Sequence, residues 1–101
     1  MSTPFNQLTD AQAERLALLL EELGEAQQAI GKILRHGYES RHPSKPHGPS
    51  NRDSLEIELG DVAAAIDIMK MAKDIEDATI KNHRDYKLVS VEKYLHHQKV
   101  V

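Results

Sequence analysis

Two acidic motifs, each embedded in a helical run, constrain this chain more than any other feature. The first is Glu21-Glu22-Leu23-Gly24-Glu25 and the second is Glu58-Leu59-Gly60-Asp61. Each sets two carboxylates three residues apart, which on an α-helix means one face. Two such helices packed together would aim four acidic groups into one gap. Like charges repel there, and a cation is the natural means of offsetting them.

The runs that carry the motifs read as two long helices. Thr9 followed by Gln12 is a capping box, with Asp10 suited to a helix N-terminus. From there Leu16, Leu19, Leu20, Leu23, Ala26, Ile30 and Leu34 recur at three- and four-residue steps, one apolar stripe. Arg35 and His36 precede Gly37, a basic last turn and a glycine stop. Residues 37–50 hold three prolines and two glycines, and are read as a mobile loop. From Arg35 to Arg52 the charges are Arg35, Arg41, Lys45 and Arg52 against the single acid Glu39, so the loop is basic and suited to closing over an anion such as a triphosphate. Ser50 with Asp53 opens a second helix, whose stripe is Leu55, Leu59, Val62, Ile66 and Met69, ending near Lys73. Ala63, Ala64 and Ala65 keep its middle slim. Beyond Asp74 the helical pattern weakens through Ile75, Ala78 and Thr79 and resumes at Leu88, Val91 and Leu95. The pattern leaves open whether this is one bent helix or two. Residues 98–101 are expected to fray.

On a helical wheel counted from Leu16 the first stripe centres at about 330°, with Glu22 at about 240°, Glu25 at about 180° and Glu21 at about 140°. A count from Leu55 puts Glu58 at about 300° and Asp61 at about 240°. Both pairs therefore border the packing surface, whereas carboxylates kept for solubility belong on the far face, as Glu56 and Asp67 do. Hard cations such as magnesium or manganese take carboxylate oxygens. No histidine falls on these stripes, which disfavours zinc.

A length of 101 residues fits one domain, 1–101, and 40% apolar with 29% charged residues is the balance of a folded chain. Aliphatic side chains must fill the core, as in helix bundles, because the aromatics are only Phe5, Tyr38, Tyr86 and Tyr94. Few core layers fit in such a chain, so burial against a second copy is expected. The absence of cysteine excludes disulfides and suits a reducing compartment. No apolar run approaches bilayer length and no leader pattern opens the chain, so the expected place is cytoplasmic, with no membrane partner. No helix is basic along one face and no aromatics interleave the loop's charges, so no nucleic-acid partner is expected.

The arrangement EExxE, loop, ExxD resembles the signature of the MazG-like, all-α nucleoside triphosphate pyrophosphohydrolases. The flanks KILRHG, NRDSLEIELGDV and KYLHH look like the compact phage and bacterial members, and the likeness spans residues 14–97. It implies a small helical bundle completed by dimerisation or tetramerisation, with two long antiparallel helices bearing the acids. It also implies magnesium-dependent cleavage of a (d)NTP between the α- and β-phosphates, giving monophosphate and pyrophosphate, with manganese an alternative ion. Carried over by position, Glu22, Glu25, Glu58 and Asp61 would be metal ligands and catalytic residues. Glu21 matches the signature's first glutamate, but its place about 100° from Glu22 on the wheel suits a role behind the ligands, the positioning of water, or a metal site shared with another subunit. Lys87 and Lys93 resemble phosphate-contacting lysines, and Tyr94 would line the base pocket. Lys32, on one helical stripe with Glu25, is a further candidate to hold phosphates. Alternatives are a dUTPase-like or phosphoribosyl-ATP pyrophosphatase-like relative, and a non-catalytic oligomerisation or regulatory module.

Overall fold

Both capping boxes read from the sequence form. In the computed structural model, which describes residues 4–99, Thr9 Oγ accepts from the Gln12 N–H at 3.1 Å while Gln12 Oε1 accepts from the Thr9 N–H at 2.9 Å. These bonds start helix α1, Asp10–His36. Ser50 and Asp53 exchange the same pair of bonds, each 3.1 Å, and start α2, Asn51–Met71. Each cap contributes about 1 kcal/mol. Helix α3, Asp77–Ser90, follows, and a short 3-10 turn, η1, spans Glu92–Tyr94. The weak pattern after Asp74 thus resolves into one helix and a turn. All regular structure among the described residues is helical, and no helix there is long and apolar enough to cross a membrane. The expected fraying of residues 98–101 lies partly outside the described residues.

Helices α1 and α2 form an antiparallel pair. At one end Asn51 Nδ2 donates to the Gly37 carbonyl at 3.1 Å, and at the other Arg15, near the start of α1, bonds Asp74 just past α2. Residues 37–50 are held by backbone bonds from the Asn51 N–H to Ser40 O at 2.9 Å and from the Arg52 N–H to Tyr38 O at 2.8 Å. Arg52 adds an ion pair to Glu39 at 2.7 Å and stacks over the Tyr38 ring at 4.3 Å.

Helix α2 ends in a two-bond cap. The Asp74 N–H donates to Met69 O at 3.0 Å and the Lys73 N–H to Lys70 O at 3.1 Å, the pattern that closes a helix through a left-handed residue. Lys73 holds that position at φ 66°, where glycine is the usual occupant and another residue is strained by about 1 kcal/mol. Past this turn Asp77 ties α3 to α2, accepting from Lys70 at 2.7 Å and from Lys81 at 2.9 Å. Helix α3 otherwise packs along neither long helix and has no buried residue.

The face of α1 that meets α2 is not the centre of its leucine stripe. Its buried residues are Ala26 and Ala29, which on the wheel average about 250°, roughly 80° from the stripe's centre. Leu20 and Leu34 stay 73% and 83% exposed, and Leu16, Leu23 and Ile30 are exposed as well. On α2 the buried positions are Ala65 and Met69. Four such residues make a thin core, and the radius of gyration of 17.7 Å exceeds the roughly 13 Å of a compact chain of this length.

Candidate metal centre

The rotation of α1 puts Glu22 at the middle of the helix pair rather than at its margin. Each of Glu22, Glu25, Glu58 and Asp61 offers one oxygen, and the four atoms lie within 4.8 Å of one another. Three of these side chains are half-buried and Asp61 is exposed. Their approach depends on alanine. Ala26, Ala29 and Ala65 each lie four residues beyond Glu22, Glu25 and Asp61, one turn on along the same face, and all three are buried. Methyl groups at the contact let the axes come close, and the carboxylates one turn away meet in consequence.

Nothing basic answers this charge. No lysine, arginine or histidine forms an ion pair with any of the four among the described residues. Glu22 Oε2 and Glu58 Oε2 are buried and receive no hydrogen bond. Burial pushes the Glu22 carboxyl above the ordinary glutamate range, helped by the charges of Glu25, Asp61, Glu21 and Glu58. Glu58 is raised as well, first by burial, then by the neighbouring Glu25 carboxylate and the charge of Asp61.

Glu25 and Glu58 also line a cavity of about 350 Å³, with Gln28, Lys32, Asn51 and Ser54 around it. Lys32 thus lines the space beside the acids, seven residues beyond Glu25 on α1. Ser54 precedes Glu58 by one turn and Asn51 by nearly two, a spacing that could have singled them out, although short polar side chains at a helix start are read first as capping groups. Glu21 is exposed and outside the four-carboxylate set; it reaches the site through its charge on Glu22. Lys87, Lys93 and Tyr94 are exposed on α3 and η1 and line no part of this cavity. Lys93 Nζ instead sits 5.2 Å from the centre of the Tyr94 ring. The structure does not bring these three together with the acids.

Comparison with protein-family models, with the curated proteins and with solved structures finds no match for this chain.

Proposed function

We propose that the chain is a divalent-cation-dependent nucleoside triphosphate pyrophosphohydrolase, releasing pyrophosphate and a (d)NMP. One observation carries the reading: four carboxylates converge with two buried oxygens that receive no hydrogen bond, beside a cavity whose far wall holds Lys32. The resemblance of EELGE and ELGD to the MazG-like signature supports it.

The donor set fits a hard cation. It is all carboxylate, it has no nitrogen or sulfur ligand, and it leaves two buried oxygens that a cation would satisfy. Glu22, Glu25, Glu58 and Asp61 would hold magnesium, or manganese in its place. When bound, the ion would offset phosphate charge and make a bound water a better nucleophile. The chain's own part is placement and charge. The rigid helix pair fixes the carboxylates relative to the cavity, and Lys32 steadies phosphate oxygens there. In the overall reaction water adds to the α-phosphorus, the bond to the α–β bridging oxygen breaks, and pyrophosphate leaves with that electron pair.

The same reading gives the exposed leucines a use. Leu16, Leu20, Leu23, Ile30 and Leu34 on α1 form an apolar face too extensive for water, and a second copy packed there would complete the bundle as a dimer or tetramer. Lys87, Lys93 and Tyr94 would reach a site only from such a copy. The test is incubation with each NTP and dNTP plus magnesium, with pyrophosphate detected. Hydrolysis lost on chelation is the expected result. No pyrophosphate from any nucleotide, in a protein that still binds magnesium, would sink the reading.

A further inference from the structure

The basic stretch between the two long helices folds into a cleft of its own. A cavity of about 540 Å³ lies between the end of α1 and the loop, and four cationic side chains line it: Lys32, Arg35, Arg41 and Lys45. No aspartate or glutamate lines it, so it carries a formal charge of about +4 in a chain whose net charge is −3. None of the four has an ion-pair partner among the described residues. Arg52, the fifth cation of the stretch, points away to Glu39 and Tyr38.

Two tight turns hold this shape. The Lys45 N–H donates to His42 O at 2.9 Å, and the Gly48 N–H to Lys45 O at 2.9 Å. A Cβ on Gly48 would meet the Lys45 side chain at 3.1 Å, so glycine suits the second turn. Arg41 Nε donates to Gly48 O at 3.0 Å, which steadies the guanidinium and leaves its two terminal nitrogens free. The first turn of α2 adds little here. The backbone N–H groups of Asn51, Arg52, Asp53 and Ser54 already donate to Ser40 O, Tyr38 O, Ser50 Oγ and Ser50 O, and Asn51 Nδ2 to Gly37 O. Any anion is therefore taken by side chains, the four cations first, with His36, Ser40, His42 and Ser54 also lining the cleft.

This cleft and the cavity beside the acids adjoin, with Lys32, Asn51 and Ser54 lining both. Lys32 lies about 10 Å beyond Glu25 along α1, and Arg35 about 5 Å further. An elongated polyanion can thus have one end at the carboxylates and the other among the cations. We propose that the cleft formed by Lys32, Arg35, Arg41 and Lys45 binds the terminal phosphates of a polyphosphate ligand. Its part in catalysis rests on the hydrolase reading; its affinity for a polyphosphate does not.

The probe is inorganic tripolyphosphate, titrated calorimetrically in EDTA so that no cation bridges it to the carboxylates. Wild type binds, and the Arg41→Gln/Lys45→Gln double variant binds at least about tenfold more weakly, the loss of two charge-assisted contacts. Because Arg41 also holds the loop, Lys45→Gln alone is the safer variant. Its side chain has no partner to lose, and about a threefold weakening is expected. Glu58→Gln retains binding. Unchanged affinity in both cleft variants overturns the proposal, as does equally tight binding of a short oligodeoxynucleotide, which would mark a general phosphodiester surface. Tripolyphosphate binding that persists in a protein hydrolysing no nucleotide supports the cleft and removes only the hydrolase. Hydrolysis with a KM indifferent to Lys45→Gln, and tripolyphosphate that fails to bind, removes only the cleft.

Discussion

Two groups of acids in this molecule have opposite surroundings. At the joint between α2 and α3, Asp74 meets Arg15 through two bonds of 2.5 and 3.0 Å, and Asp77 lies between Lys70 and Lys81. Both carboxyls are held below the usual range by those cations, Asp77 down to about 2. In the middle of the α1–α2 pair, Glu22 and Glu58 have no cation paired with them among the described residues and are pushed up by burial and by neighbouring carboxylates. The chain has cations enough to pair the second group, yet four that form no ion pair among the described residues, Lys32, Arg35, Arg41 and Lys45, line the loop cleft instead. The joint acids serve the fold. The central acids oppose it, which supports the proposal that they form a site.

The sharpest way to break this contrast is to neutralise one acid of each kind. Glu58→Gln or Asp61→Asn should lower pyrophosphate release by more than about 100-fold, beyond the effect usual for groups one layer from a metal. Arg15→Gln should leave it within about threefold. Equal losses in the two variants would mean that the central acids matter only for folding.

Stability should then run the other way. Thermal melts in EDTA should place Arg15→Gln about 5 °C below wild type, because Asp74 loses its partner while half-buried. Glu58→Gln should melt above wild type without a cation and lose the gain that magnesium gives the parent. A Glu58→Gln protein less stable than wild type in EDTA would remove the claim that repulsion opposes the fold.

The pH dependence follows from the same shifts. Asp74 and Asp77 have folded values below the ordinary 3.8, so their stabilisation is present above 3.8 and is lost as pH falls toward about 2. Glu22 and Glu58 have folded values above the ordinary 4.5, so their contribution is full below 4.5 and is lost as pH rises through the folded values. In EDTA these four groups together place the melting maximum near pH 4, and saturating magnesium should remove the decline on the alkaline side. The smallest change concerns backbone alone: Lys73→Gly relieves the left-handed residue at the joint and should stabilise by less than about 1 kcal/mol, since glycine also frees the unfolded chain. A destabilising result would show that the Lys73 side chain helps to hold α3.

What the sequence allowed to be read was local. The capping boxes at Thr9 and Ser50 need only residues three apart, and so do the acidic pairs, so helix starts and candidate ligands were legible. The end of α2, read near Lys73, falls at Met71, but the turn that closes it was not legible, because it relies on Lys73 taking a conformation normally given to glycine and on a bond from Arg15 to Asp74, 59 residues away. Nor was the contact face of α1. Hydrophobicity pointed to the leucines, while the pair closes over the alanines beside Glu22. The basic character of the loop was visible, but its union with Lys32 depends on turns at residues 42–48 that composition does not specify.

The alanines have one more consequence. Four oxygens on two stiff rods form an aperture whose width is the spacing of the rods, and that spacing is set by the methyl groups of Ala26, Ala29 and Ala65. Magnesium asks for oxygens at about 2.1 Å, calcium for about 2.4 Å and a looser cage. A larger residue in place of Ala65, which is 1% exposed, would pry the rods apart and move the preferred ionic radius upward. If the proposed site holds a cation, the choice of ion would be written one helical turn away from the carboxylates.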